Sequence, residues 1–321
     1  MISLSEVVQK QKNDDNLYKV TVLVTCYNQS GYIERSLDSI LSQKTSFPFR
    51  IVVSDDGSTD GSQAILQKYR NKYPVQIEVL FHEYNQGVNA NRNDAILKCD
   101  TPYVAFLDGD DYWCDDEQLE RKYSFLEQNP EFIGYFTGGA YGDEPGKNDY
   151  ERRNISDAFS RENALKNEYP GMYGGFFLRN IYKYMSKEDL QYYMDCPIDE
   201  SSKLPIIAGM IGDIYRQNET TWVYRPPQKT NLSVREKEQF GCKEYFLSRM
   251  SMQEMIRKFW NMDMKIDYQL EELVYNAFVT MIKKPSGRNI EQYTYIRNYG
   301  YFTKKRIRRI IGDRIRAKVR K

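Results

Sequence analysis

Over its first 110 residues the chain alternates short β-branched runs with segments of helical periodicity, and each run ends in a cluster of polar residues. Val20–Cys26 reads as a strand buried on both faces, and Ile33, Leu37, Ile40 and Leu41 follow at helical spacing. Arg50–Ser54 is a second run, and Asp60 is placed to cap a helix that reaches about Asn71 and is closed by Pro74. Gln76–Phe81 predicts a third strand, Val88–Lys98 a helix and Tyr103–Leu107 a fourth strand. Strands and helices alternating at these lengths form an α/β fold, a Rossmann-like and mostly parallel sheet with helices on both faces.

In such a sheet, ligands bind beyond the carboxyl ends of the strands. The clusters found there are Tyr27-Asn28, Asp55-Asp56-Gly57-Ser58 and Asp108-Gly109-Asp110-Asp111. The last is the sharpest. Carboxylates two residues apart around a small residue can converge on one hard cation, and Mg²⁺ or Mn²⁺ needs only one or two of them when substrate phosphates complete its shell. A cation at Asp108 and Asp110 would neutralise a leaving diphosphate. Asp56 is placed to accept hydrogen bonds from a nucleobase or a ribose. Gly57 permits a sharp turn. The segment from Asn85-Gln86-Gly87 to Asn93 offers another glycine turn and then Arg92 at a helix start, where a guanidinium can pair with diphosphate oxygens. The chain contains neither GxGxxG nor GxxxxGK[ST], which argues against dinucleotide and P-loop sites.

Beyond Trp113 the alternation weakens. Asp115–Gln128 reads as a helix, Phe132–Ala140 as a strand and Tyr141–Asp149 as a loop, and a mixed region runs to about Ser233. From about Lys237 the pattern is helical. Met252, Met255, Ile256, Phe259 and Trp260 share one face, as do Leu270, Leu273, Val274, Ala277, Phe278 and Met281, and such stripes are core packing. The five cysteines are dispersed and odd in number, which fits free thiols in a reducing compartment. The polar start, Met1–Asn16, has no apolar core of a signal peptide, and no apolar run is long enough to cross a bilayer.

Charge is unevenly spread. Ten of the 46 basic residues and one of the 45 acids lie in 304–321, so the preceding body carries about −8. Ile307, Ile310, Ile311, Ile315 and Val319 recur at helical spacing among these cations. This pattern predicts a basic amphipathic helix lying on an anionic membrane surface.

Four segments occur in order: Val20-Thr-Val-Leu-Val-Thr-Cys-Tyr-Asn28, Asp55–Asp60, Asn85-x-Gly87 with Asn91-Arg92-Asn93, and Phe106-Leu-Asp-Gly-Asp-Asp-Tyr-Trp113. Together they resemble inverting glycosyltransferase family 2, whose fold is GT-A. The resemblance covers about the first third of the chain. It implies nucleotide binding by Asp56 and by the Thr25–Asn28 loop with Thr25, Tyr27 and Asn28. It implies metal binding by Asp110, with Asp108 near the ribose or the metal. Family members carry an acidic base at a helix start in the acceptor half, and Cys196–Ala208 is similar to that region. Glu200, the preferred candidate, or Asp199 would then deprotonate the acceptor hydroxyl. Two departures stand out. The spacing to Gly212 is one residue off the family pattern, and Tyr224-Arg225 is followed by Pro226-Pro227 where related chains place a metal-binding histidine. The only histidine, His82, lies near the end of strand three and reads as structural.

The resulting expectation is a metal-dependent transferase for a nucleotide-sugar donor, with a saccharide or lipid-linked acceptor and no nucleic-acid partner. Its place is the cytoplasmic face of a membrane, in cell-surface polysaccharide or glycolipid assembly. The expected division is 1–113 for the nucleotide sugar, 114–235 for the acceptor, 236–300 helical and 301–321 the basic tail. A nucleotidyltransferase is the alternative enzyme, but Thr25–Gly31 lacks the basic residues its triphosphate would need. A non-catalytic tether is the alternative from another class.

Overall fold

The computed structural model describes residues 1–142, 149–150, 158–166, 173–225 and 242–319. The β-branched runs become strands because their side chains fit a pleated surface better than a helix turn. In chain order the first unit contains α1 (Leu4–Lys12), β1 (Val20–Cys26), α2 (Ile33–Leu41), β2 (Phe49–Asp55), α3 (Ser62–Lys72), β3 (Ile77–Phe81), α4 (Val88–Ile96) and β4 (Tyr103–Asp108). It continues with β5 (Tyr112–Trp113), α5 (Gln118–Gln128), β6 (Phe132–Tyr141), β7 (Asp149–Tyr150), β8 (Ala158–Phe159), α6 (Arg161–Leu165) and β9 (Phe176–Arg179). The short helices α7 (Ile181–Tyr184) and α8 (Lys187–Asp195), then α9 (Glu200–Ile211) and β10 (Asp213–Tyr224), complete it.

The strands form one sheet in the order β3-β2-β1-β4-β9-β6-β10-β5, with β7 on β6 and β8 on β10. The strands β3, β2, β1 and β4 run parallel, and β6 is parallel to β10, whereas β9 lies antiparallel between β4 and β6. The expected α/β architecture is therefore present, and its two expected halves share this continuous sheet. The order reverses at β1, which pairs with β2 on one side and β4 on the other, so the crevice of a topological switch point opens at the ends of β1 and β4.

Successive strand residues face opposite sides. Val20, Val22, Val24 and Cys26 of β1 belong to one core with Ile33, Leu37 and Ile40 of α2 and Leu66 and Tyr69 of α3. Leu23, Val52 and Phe106, also buried, face the other way. A side chain of this size contributes about 1.5–3 kcal/mol when fully buried.

Three local differences from the sequence reading have simple causes. The N-terminal segment is a helix, α1, held by a capping box in which the Ser3 side chain accepts from Glu6 N and the Glu6 side chain accepts from Ser3 N. Asp60 is not itself the N-cap of α3. Gly61, at φ +99°, takes that position, and Asp60 Oδ1 accepts from Ser62 N at 3.0 Å and Oδ2 from Ser30 N at 2.9 Å. Strand β4 runs one residue past Leu107, so Asp108 is its last residue.

In the second unit, 165–167 with 227–321, the described residues from Cys242 onward are mostly helical. It contains α10 (Cys242–Trp260), α11 (Asp267–Lys283), α12 (Gly287–Asn298) and α13 (Lys304–Val319). Met252, Met255 and Ile256 of α10 and Leu270, Val274 and Ala277 of α11 are buried, so the apolar stripes act as core. In α13, Ile307 and Ile310 are buried as well, and Arg306 Nη2 lies 2.9 Å from Glu271 Oε1 of α11. The expected isoleucine face of the tail is thus covered in part by protein, while Ile315 is exposed. No helix among the described residues is long and apolar enough to cross a membrane.

Candidate functional site

The parallel register sets Thr25 of β1 opposite Asp108 of β4. Thr25 Oγ1 donates to Asp108 Oδ1 at 2.8 Å. Arg92, projecting from α4, donates Nη2 to the same oxygen at 2.7 Å and Nη1 to Asp199 Oδ1 at 2.6 Å. The guanidinium is nearly buried, at 7% exposure, whereas Asp108 and Asp199 keep 27% and 25%. One arginine therefore ties the end of β4 to the start of α9, where Asp199 is the N-cap. The expectation that Arg92 meets a diphosphate acquires a second element, because two carboxylates already hold its two terminal nitrogens.

Glu200 is one residue away and sits in a different environment. It is 2% exposed. Its Oε1 accepts from the Tyr182 hydroxyl, and from that of Tyr193 at 2.6 Å. Lys203 Nζ lies 3.3 Å from Oε2 and also donates to Tyr193 O at 2.9 Å. Because a helix start turns about 100° per residue, adjacent acids face different ways. Here Asp199 faces the crevice and Glu200 is enclosed.

The 55–60 segment divides its two leading acids. Asp55 is internal scaffolding, with Oδ1 accepting from Ser58 Oγ at 2.5 Å and Oδ2 from Ser58 N at 3.0 Å and Gln63 Nε2 at 2.8 Å. Asp56 reaches the next loop, where it accepts from Gln86 N at 2.7 Å and Gly87 N at 3.0 Å. It thereby brings Asn85–Gly87 alongside the 55–58 turn. Gly57 has φ +69°, and a Cβ there would meet Tyr84 C at 2.6 Å, so conformation and space both require glycine. Asn28, at φ +52°, is a residue type that tolerates this region, and its Oδ1 accepts from Thr59 N at 2.8 Å. Tyr27 and Asn28 are both partly exposed at the end of β1. His82 is tied to structure, with Ser54 Oγ at 3.1 Å and Gln86 Nε2 at 2.7 Å from its ring nitrogens.

In the Asp108–Asp111 turn, a Cβ on Gly109 would lie 2.5 Å from Gln29 Oε1, 2.8 Å from Thr25 O and 2.9 Å from Ile33 Cδ1. Asp110 is partly exposed and Asp111 buried. Burial first, and then the charges of Asp110 and Asp108, push the Asp111 carboxyl well above the ordinary range. Among the described residues no group of three or more His, Cys, Asp or Glu forms a metal cage. The donor set instead suits a hard cation that retains water and phosphate oxygens. Two observations fit that group. Negative charge is concentrated at Asp108 and Asp110, and Gln29 Oε1, packed beside Gly109, is buried with no hydrogen-bond partner among the described residues.

Sequence reasoning passed over Arg225, which the structure brings against the acidic turn. Its backbone N donates to Asp111 Oδ1 at 3.1 Å, its Nε donates to Asp110 O, and its Nη2 donates to Tyr32 O at 3.1 Å. Its guanidinium lies 4.5 Å from the Tyr32 ring centre, and Arg35 lies 3.7 Å from that of Tyr112. The end of β10 thus clamps the acidic turn to the start of α2. The Tyr224-Arg225 pair was the available signal, but no periodicity tells which loop a strand end will meet.

The family model described as glycosyl transferase family 2 matches residues 21–185, more than half of the chain and the whole β1–β4 crevice. The chain belongs to glycosyl transferase family 2. A putative teichuronic acid biosynthesis glycosyltransferase of Bacillus subtilis, TuaG, is 39% identical over 120 residues, 36% of this chain and 46% of that protein. The chain spans less than half the length of the curated relatives it matches. In fold, this family 2 chain is similar to residues 1–349 of S. aureus TarS in complex with UDP-GlcNAc, with a TM-score of 0.62, 19% identity, and coverage of 87% of this chain and 79% of that one. The mannosyltransferase PcManGT of Pyrobaculum calidifontis, in complex with GDP-Man and Mn²⁺, gives a TM-score of 0.52 at 15% identity and covers 95% of this chain and 88% of that one.

Proposed function

We propose that the chain transfers a sugar, with inversion, from a nucleoside diphosphate donor to a hydroxyl of a saccharide or lipid-linked acceptor. The observation that carries this reading is the run Thr25–Asp108–Arg92–Asp199 across the switch point, which puts a donor-side carboxylate and a partly exposed acid on one guanidinium. UDP is the preferred carrier, since TarS binds UDP-GlcNAc in the same fold. The TuaG relationship favours an acceptor in cell-surface polymer assembly, on the cytoplasmic side of a membrane.

Residues 1–113 hold the donor, and 114–235 the acceptor. Thr25, Tyr27, Asn28, Asp56 and Asn85 line the nucleotide side, with Asp56 ordering the Asn85–Gly87 amides around the base or ribose. Asp110, with Asp108, would hold Mg²⁺ or Mn²⁺, whose chemistry is neutralisation of the diphosphate as it leaves. Asp199 accepts the proton of the acceptor hydroxyl, whose oxygen forms the new bond to the anomeric carbon. The bond from that carbon to the phosphate oxygen breaks, and its electron pair leaves with the diphosphate. Arg92 keeps Asp199 oriented, and Glu200 fixes the start of α9 from inside.

The test is titration calorimetry with UDP, GDP and their sugars, with and without Mn²⁺, followed by a donor-turnover assay of Asp110→Asn. Metal-enhanced binding of one nucleotide sugar and loss of metal-dependent turnover in the variant are expected. Binding of no nucleotide, or full turnover by Asp110→Asn, would discard the reading.

A further inference from the structure

On helix α13, Arg306 is paired with Glu271 and Arg316 with Asp313, but four further cations of its first turns stand apart. Lys304, Lys305, Arg308 and Arg309 are all exposed, and none has an ion-pair partner among the described residues. Lys304 with Arg308 and Lys305 with Arg309 are like-charge pairs four residues apart, an arrangement that opposes helix formation. They occupy the first turns, where no acid is present and where the helix dipole also disfavours cations. Three repulsive terms thus coincide on one short stretch of surface.

At 100° per residue, Lys304, Lys305, Arg308, Arg309, Ile315 and Arg316 fall within an arc of about 140°. The buried Ile307 and Ile310 lie outside that arc. The solvent side of the helix is therefore a cationic strip with one half-exposed apolar side chain, Ile315 at 44% exposure. Because Ile307 and Ile310 are already packed, the helix cannot lay its main isoleucine face into hydrocarbon. It can present the opposite, cationic side to a plane of negative charge.

We infer that this strip docks the chain on the anionic phosphate headgroups of a bilayer by electrostatic adsorption, without insertion of the Ile307–Ile310 face. Charge complementarity selects the anion. Ile315 among the cations selects a membrane interface over a soluble polyanion, because an interface receives an apolar side chain and a dissolved polymer does not. The inference rests on the proposed function only in giving the docked enzyme a membrane-linked acceptor.

The full chain is mixed with vesicles of phosphatidylcholine alone or with about a third phosphatidylglycerol, and binding is measured by flotation at low and high salt. A contribution on the order of 1 kcal/mol per basic residue corresponds to about fivefold in affinity. The quadruple variant Lys304→Gln, Lys305→Gln, Arg308→Gln and Arg309→Gln should therefore bind anionic vesicles several hundredfold more weakly. Wild-type binding should vanish on neutral vesicles and fall steeply as salt rises. A charge-retaining variant, Lys304→Arg with Lys305→Arg, should bind like the wild type, and unfolding curves confirm that each variant folds. Equal binding to neutral vesicles, binding insensitive to salt, or undiminished binding by the quadruple variant would each overturn the inference. So would preferential binding of soluble polyphosphate in direct competition with the vesicles. Hydrolysis of a soluble nucleotide sugar by the quadruple variant, expected to match wild type, separates failure of docking from failure of the catalytic reading.

Discussion

Arg92 Nη1 and Asp199 Oδ1 lie 2.6 Å apart although 107 residues separate them in the chain, and the other terminal nitrogen of the same guanidinium is 2.7 Å from Asp108 Oδ1. The planar fork of arginine makes this possible, since its terminal nitrogens can each hold a different carboxylate at fixed spacing. The acid proposed as base is thereby located relative to the donor-side strand end by a rigid group rather than by loop geometry.

This arrangement separates the two neighbouring acids. Asp199→Asn keeps the shape and an acceptor oxygen for Arg92 but removes the proton acceptor, so transfer should fall by about 10²–10⁴ with little change in unfolding. Glu200→Gln should do the reverse. It weakens a buried cluster of Tyr182, Tyr193 and Lys203, and leaving Lys203 without its counter-charge should cost about 3–5 kcal/mol. Transfer kinetics and denaturant unfolding on both variants check the pair. A Glu200→Gln protein of normal stability and no transfer would reverse the assignment.

Arg92→Lys retains a charge but not the fork. A single ammonium cannot keep both short contacts, so turnover should drop on the order of 10²-fold while the net charge stays constant. If Arg92 acts by positioning Asp199, the loss should be non-additive. Adding Arg92→Lys to Asp199→Asn should lower transfer far less than it does in the wild-type background. Independent, multiplying losses would show that Arg92 serves the donor alone.

Much of this site was legible in the chain and part of it was not, for physical reasons. The β1–β4 strands, the Asp108–Asp110 pair and the glycine turns announce themselves locally, through β-branched runs and through residues that turns demand. Family membership follows from the same segments. The choice between Asp199 and Glu200 depends on which face of α9 packs inward, and tyrosines from α7 and α8 decide that, not the acids themselves. Arg225 was invisible as a clamp because its partners lie on the Asp108–Asp111 turn and before α2, more than a hundred residues earlier. The tail shows a third kind of limit. Its periodicity revealed an amphipathic helix, but only packing reveals that Ile307 and Ile310 are covered and that the cations face out.

Gly109→Ala tests the acidic turn without touching a carboxylate. The added methyl would meet Gln29 Oε1 at 2.5 Å, and Thr25 O, a backbone atom that cannot rotate away, at 2.8 Å. Overpacking of this kind costs about 1–3 kcal/mol. The turn should shift away from β1, moving Asp110 and weakening metal-dependent donor binding more than metal-independent nucleotide binding. Calorimetry with UDP in the presence and absence of Mn²⁺ reads the difference. An unchanged metal effect would mean that the position of Asp110 does not matter to the cation.

Lys122 of α5 supplies a prediction about pH. It is buried, at 2% exposure, with Nζ donating to Gln118 Oε1 at 2.7 Å and to Gly175 O at 3.2 Å, both neutral acceptors. Burial first, then the nearby Arg121 charge, pull its ammonium down from 10.5 to about 7. Below about 7 both the folded and unfolded chains hold this proton. Between that value and 10.5 the unfolded chain holds it and the folded chain does not, so folding stability gains as pH rises through this window. The slope is at most about 1.4 kcal/mol per pH unit from one group. Lys122→Met removes the term. Relative to wild type, the variant should be most favoured near pH 6, where the wild type must keep a buried charge, and should lose that advantage steadily toward pH 10. Urea unfolding of both proteins at pH 6, 8 and 10 measures the difference. A wild-type-minus-variant stability that stays flat across that range would show that Lys122 keeps its proton when folded, held by Gln118 and Gly175 more strongly than burial opposes it.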